Sequence, residues 1–96
     1  YPFEQTVVKP YVMEEEVVEN IDIGGPSMLR SAAKNFESVA VLSDPRDFAR
    51  VKIQMALDEG RTTLELRRFL AGQAFTYTAR YDQMIANYLC PKQTSY

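Results

Sequence analysis

The sequence predicts an α/β fragment that is mostly helical and contains about one buried strand. Three observations lead to this prediction: apolar residues at helical spacing in several segments, one short apolar run between them, and glycine or proline at the breaks. The 96 residues suffice for one small domain, and 46% hydrophobic against 25% charged residues is typical of a globular protein. We therefore treat residues 1–96 as one structural unit.

Two short helices are predicted in the first third of the chain. Residues 14–20 form an acidic segment with helical character. Gly24 and Gly25 then lead to Pro26, which suits the first position of a helix, where its missing N–H costs no hydrogen bond. The apolar face of this second helix consists of Leu29, Ala32, Ala33 and Phe36.

Residues 38–42 are the one predicted strand. Their nearly continuous apolar character is typical of a strand covered on both faces. A lone strand leaves backbone donors and acceptors that need neighbouring strands. The sequence is therefore interpreted as a piece of a larger α/β unit, or as a protomer completed by another chain.

Two longer helices are predicted after the strand. Asp44 and Pro45 begin the first, and Gly60 should end it. Thr62 and Glu65 have the spacing of a capping box, which predicts a long helix over residues 63–90. An apolar and aromatic seam follows this helix in steps of three and four, formed by Leu70, Ala74, Tyr77, Tyr81, Met84 and Tyr88. We expect so long a seam to need a partner surface.

The composition excludes several classes of function. The absence of histidine excludes Ser-His-Asp and Cys-His catalysis and removes the commonest transition-metal ligand, so no metal site is expected. A net charge of -2 argues against a nucleic-acid partner. The single cysteine, Cys90, and the lack of a signal peptide or a long apolar run favour a cytoplasmic protein without a membrane partner.

The segment over residues 20–27 is the most informative about function. Gly24 and Gly25 let a ligand approach the backbone beside the free N–H groups of a helix start. Asp22 lies just before this turn and is a candidate general base. The alternative is an ordinary capped turn in which Asp22 bonds the helix N-terminus, and the pattern alone favours this alternative.

The sequence supports a chemical role less strongly for the other polar side chains. Lys34 lies beside small alanines, where it could pair with Asp22, although a solvated face is the usual role of such a lysine. Tyr1 could donate a hydrogen bond to a developing oxyanion, although terminal tyrosines more often pack or fray. Arg67 and Arg68 are interpreted as a solvated helix face, with a role in ligand binding as the alternative.

Taken together, these segments resemble the IMP cyclohydrolase domain of the bifunctional AICAR transformylase/IMP cyclohydrolase family. The matching stretches are residues 1–3, 21–30, 32–35, 44–45, 64–68, 74–75, 78–82 and 85–89. The resemblance covers nearly the whole chain, and its most specific part is the aspartate and glycine pair followed by the Ala-Lys-Asn segment. The sequence departs from the family pattern at Phe36 and Tyr77, where histidine is frequent.

The resemblance implies a methylglyoxal-synthase-like fold, of which this chain would be the C-terminal half. It also implies the dehydrative ring closure of FAICAR to IMP in de novo purine biosynthesis, by a homodimeric enzyme that binds purine nucleotides. No cofactor is implied for this step, whereas 10-formyltetrahydrofolate would serve a transformylase domain outside this chain. The isolated chain is expected to be inactive.

The resemblance further implies a role for each candidate residue. Asp22 would act as the base or orient the substrate, and Lys34 would pair with it and help to transfer protons. Tyr1 would donate to the formyl oxygen, and the N–H groups around Gly24 and Gly25 would hold the base portion of the substrate. The alternative hypothesis is a catalytically inert helical fragment that acts only in interaction or assembly.

Overall fold

The computed structural model describes residues 14–90, and these form four α-helices joined by connections over residues 20–23, 35–46 and 58–63. The helices are α1 (Glu14–Glu19), α2 (Gly24–Lys34), α3 (Asp47–Leu57) and α4 (Leu64–Leu89). The most extensive helix–helix contact is between α2 and α4. Among the four helices described, none combines the length and the apolar composition of a membrane-spanning segment.

The start of α2 is capped from the turn before it. Ile23 occupies the N-cap position but makes no side-chain cap. Instead, Asp22 Oδ1 accepts a hydrogen bond from the Gly25 N–H at 3.0 Å. Pro26 is the third residue of α2 rather than the first, and it still lies in the turn whose N–H groups have no intrahelical partner. The predicted start of the helix is therefore confirmed, with proline two positions later than expected.

The strand predicted for residues 38–42 is wrong. This segment has no regular secondary structure, and nothing among residues 14–90 pairs with it as a strand. Its apolar character has another cause, because Val41 is only 8% exposed and packs with Ala33 and Ala74. Leu42 beside it is 40% exposed. The run therefore covers the α2–α4 pair on one side instead of entering a sheet.

Three small clusters of buried side chains follow one another along α4. The buried members are Val51, Leu66 and Leu70 in the first, Ala33, Val41, Ala71 and Ala74 in the second, and Val17 and Tyr81 in the third. Leu70 and Ala74 of the predicted seam are fully buried, and Tyr81 is 2% exposed. The expectation that the seam needs a partner surface is therefore wrong for these residues, because α1, α2, α3 and Val41 cover them within the chain.

The end of α3 is set by two residues with left-handed backbone angles. The helix ends at Leu57, and Glu59 and Gly60 follow with φ of 55° and 83°. The Gly60 N–H donates to the Met55 carbonyl at 2.6 Å, which closes the last turn. Because glycine adopts a positive φ at little cost, Gly60 reverses the chain here, as the sequence predicted.

Thr63 caps the start of α4. Its Oγ1 accepts a hydrogen bond from the Leu66 N–H at 3.1 Å. The predicted capping box of Thr62 and Glu65 is therefore wrong: the N-cap is Thr63, one residue later, and the residue three positions after it is Leu66, which cannot return a side-chain bond. Thr62 is engaged elsewhere, since its carbonyl oxygen and its Oγ1 accept bonds from Arg67 Nη1 at 2.6 and 3.0 Å.

Candidate functional site

Asp22 lies in the connection between α1 and α2 and is held there by two hydrogen bonds. Its backbone N–H donates to the phenolic oxygen of Tyr81 at 2.8 Å, and its Oδ1 accepts from the Gly25 N–H at 3.0 Å. Tyr81 is a buried residue of α4, whereas Asp22 is only half-buried. The turn is thus fixed to the interior while Asp22 itself stays partly exposed to solvent.

The capping interpretation of Asp22 is confirmed by this geometry. The bond to Gly25 engages Oδ1, and a carboxylate has a second oxygen with acceptor capacity of its own. Capping and proton transfer therefore do not exclude each other at Asp22. Its role as a base stays a prediction.

The two glycines differ in what their N–H groups can offer a ligand. The Gly25 N–H is already donated to Asp22. The Gly24 N–H makes no hydrogen bond within residues 14–90, and a side chain built at Gly24 would meet nothing within 4 Å. Space for a ligand therefore exists at Gly24, and binding of the substrate by the N–H groups around the two glycines stays a prediction.

The structure does not bring Lys34 to Asp22. Lys34 is exposed at the C-terminal end of α2, and Asp22 precedes the other end. The 11-residue helix separates them by about 15 Å along its axis, farther than a lysine side chain extends. No salt bridge within the described residues involves either group. The expected direct pairing is therefore wrong within one chain. Tyr1 lies outside the described residues.

Arg67 is a structural residue, and its prediction as part of a solvated face is wrong. It is half-buried, and its Nε donates to the Phe36 carbonyl at 2.9 Å in addition to its bonds with Thr62. Arg68 remains exposed, with its guanidinium 5.8 Å from the centre of the Phe36 ring. Helical spacing could have separated the two, because Arg67 lies on the seam side, three residues before Leu70.

A cavity of about 360 Å³ lies between the loop over residues 43–46 and α4. Its polar and aromatic lining includes Asp44, Arg46, Tyr77, Arg80 and Tyr81. Asp44 and Arg46 pair at 2.6 Å, and the hydrogen bond from Arg46 lowers the pKa of the Asp44 carboxyl. Tyr81 therefore borders this cavity and also holds the Asp22 turn. No pattern in the sequence predicts a role for Arg46 or Arg80.

Comparison with known proteins places this chain in a family. Residues 32–96 match the family model described as AICARFT/IMPCHase bienzyme. The chain is 57% identical over 89 residues to the bifunctional purine biosynthesis protein PurH of Chlorobium phaeobacteroides (strain BS1). It is 58% identical over 89 residues to that of Chlorobium luteolum, and 56% identical over 88 residues to that of Oceanobacillus iheyensis.

These alignments cover 92 or 93% of this chain but only 17% of each relative. Because they span at least 88 of the 96 residues, the turn at Asp22 and the whole of α2 lie within them. The family model begins later, inside α2, and includes Lys34 and all of α4. The chain belongs to the AICARFT/IMPCHase bienzyme family.

Proposed function

We propose that this chain is part of the IMP cyclohydrolase domain of a bifunctional purine biosynthesis enzyme, namely the C-terminal half of a methylglyoxal-synthase-like fold. The observation that supports it best is the turn at Asp22. There a carboxylate is fixed by Gly25 and Tyr81 beside the accessible N–H of Gly24. The proposed reaction is the dehydrative ring closure of FAICAR to IMP.

In this proposal Asp22 acts on the carboxamide nitrogen of FAICAR. The carboxylate accepts a proton from that nitrogen, or orients it, as the nitrogen attacks the formyl carbon. The formyl oxygen takes up this proton and the proton of the formamido nitrogen and leaves as water, while the second carbon–nitrogen bond of the ring becomes a double bond. The Gly24 N–H would hold the base portion of the nucleotide, and Tyr1 is retained as the proposed donor to the formyl oxygen.

Lys34 is retained as a proposed proton-transfer residue with a changed role. Because α2 separates its ammonium from Asp22, Lys34 would act on another part of the substrate and not through an ion pair with that carboxylate. The contributions of Lys34 and Asp22 to the cyclisation rate can therefore be measured separately by substituting each residue alone.

The proposal includes the ligands and partners that accompany this reaction. Purine nucleotides are the substrate and product, and the step uses no cofactor. 10-Formyltetrahydrofolate belongs to the formyl transfer reaction elsewhere in the complete enzyme. We also propose a cytoplasmic homodimer that binds neither nucleic acid nor membrane. The alternative, an inert assembly module, loses support because Leu70, Ala74 and Tyr81 are buried within the chain.

The test is to substitute Lys34→Ala in the complete protein that carries this segment and to measure its two reactions separately. We expect the conversion of FAICAR to IMP to fall by on the order of 10²-fold, the scale of one acid–base group. Release of tetrahydrofolate from 10-formyltetrahydrofolate should stay near the parent rate. Lys52→Ala, at an exposed lysine of α3, is the matched control and should change neither rate. Loss of formyl transfer instead of cyclisation would contradict the proposal.

A further inference from the structure

One phenol joins two parts of the chain that are 59 residues apart. The Tyr81 oxygen accepts the hydrogen bond from the Asp22 N–H at 2.8 Å, and the whole tyrosine is 2% exposed. Its ring packs with Val17 of α1, and Ile21, which precedes Asp22, packs against the same cluster. The ring and the hydroxyl therefore hold the same turn, the ring by packing and the hydroxyl by the hydrogen bond that it accepts.

The hydrogen bond from the Asp22 N–H to Tyr81 is important for the backbone because Asp22 lies between two helices and belongs to neither. The preceding N–H groups of Asn20 and Ile21 close the end of α1 by bonding to carbonyls of that helix. The Asp22 N–H does not bond to a carbonyl of α1; it donates to the Tyr81 hydroxyl instead. The hydroxyl therefore helps to fix the position of the Asp22 backbone, and so the position from which its carboxylate side chain extends.

We propose that Tyr81 is a positioning residue for Asp22 in the cyclisation reaction. This inference rests on the proposed function, because it assigns to Tyr81 an effect that passes through the Asp22 carboxylate. Tyr81 itself does not need to touch the substrate. Reacting groups displaced by a fraction of an ångström react more slowly, so loss of the bond should slow the chemical step without abolishing it.

The first experiment compares Tyr81→Phe with the parent in the complete protein. The substitution keeps the buried ring and removes only the hydroxyl, so we expect the cyclisation kcat to fall about tenfold while formyl transfer is unchanged. Thr78→Val is the matched control, because it removes another buried hydroxyl of α4, one that donates to the Phe75 carbonyl at 3.1 Å. It should leave the cyclisation rate near the parent value.

The second experiment separates positioning from general stability by adding Asp22→Asn. If Tyr81 acts through the Asp22 carboxylate, Tyr81→Phe should slow the Asp22→Asn protein by less than about twofold. If the two substitutions act independently, the fold-decrease of the double variant equals the product of the two single fold-decreases, and this result would overturn the proposal. So would a Tyr81→Phe protein that cyclises FAICAR like the parent while Asp22→Asn is impaired. If Asp22→Asn itself has the parent rate, the proposed function is wrong as well.

Hydrogen exchange gives a readout that does not depend on activity. In the complete protein, the Asp22 amide should exchange at least about tenfold faster in Tyr81→Phe than in the parent or in Thr78→Val. Equal exchange in all three proteins would show that the phenol does not hold the turn and would overturn the proposal. Amides in the first half of α4, away from Tyr81, should keep the parent rate, which distinguishes release of the turn from a general loss of stability.

Discussion

Arg67 Nε donates a hydrogen bond to the backbone carbonyl of Phe36 at 2.9 Å, and this bond connects the end of α2 to the beginning of α4. The same guanidinium also bonds both oxygens of Thr62. Lys34 closes α2 just before Phe36, so Arg67 fixes the end of the helix that carries a proposed site residue. A planar side chain with several donors is suited to this role.

Replacing Arg67 by lysine should therefore destabilise the chain although the charge is kept. Lysine cannot reproduce the forked arrangement of donors, and we expect the free energy of unfolding to fall by about 2 kcal/mol in urea titrations. Arg68→Lys is the control at an exposed neighbour and should stay within about 0.5 kcal/mol of the parent. Equal losses in the two variants would contradict the structural role of Arg67.

The cap of α4 gives a second prediction. Thr63→Ala removes the oxygen that accepts from the Leu66 N–H and should cost about 1 kcal/mol of unfolding free energy. Thr63→Ser keeps an oxygen at the cap and should stay close to the parent. If Thr63→Ala unfolds at the same urea concentration as the parent, α4 does not depend on this cap.

The ion pair of Asp44 and Arg46 predicts a pH dependence. The hydrogen bond from Arg46 lowers the folded-state pKa of Asp44, so the pair stabilises the chain above the unfolded-state pKa of Asp44. This contribution is lost as the pH falls below about 4 and through the lowered folded-state value. Asp44→Asn should therefore flatten the decline in Tm at acid pH.

Because Asp44 and Arg46 lie at the surface, this difference should shrink in about 1 M salt. Thermal melts at several pH values and two salt concentrations measure both effects. An acid decline of the same slope in Asp44→Asn and in the parent would contradict the assignment.

The 96-residue chain alone should not catalyse measurable cyclisation of FAICAR. It spans about 17% of the length of the PurH relatives, and binding energy from remote parts of a substrate is needed to hold the reacting groups in place. Incubation of the purified chain with FAICAR, followed by the absorbance of IMP, tests this. Turnover at an enzyme-like rate would contradict the proposal that the active site needs further segments.

Local features of the fold could be predicted from sequence, and features that depend on distant residues could not. The cap formed by Asp22 can be predicted from sequence because its partner, Gly25, is three residues away. The chain reversal at Gly60 can be predicted because glycine adopts a positive φ at little cost. The apolar run at residues 38–42 has the composition of a buried strand, but composition does not distinguish pairing in a sheet from covering two helices.

The same limit explains what was missed at the candidate site. The acceptor for the Asp22 N–H is a phenol 59 residues later, and the acceptor for Arg67 Nε is a carbonyl 31 residues earlier. No spacing rule connects such pairs. The separation of Asp22 from Lys34 was predictable in principle, because a helix predicted between two residues fixes their distance.

The most direct measurement of the central claim is the rate at which the complete protein with Asp22→Asn converts FAICAR to IMP. Asparagine caps a helix nearly as well as aspartate, so α2 and the Tm should be preserved while the basic carboxylate is lost. Asp82→Asn, at an exposed position of α4, controls for the loss of one negative charge. We predict that cyclisation falls by on the order of 10²-fold or more in Asp22→Asn alone, with formyl transfer retained. Cyclisation at the parent rate by a folded Asp22→Asn protein would contradict the account.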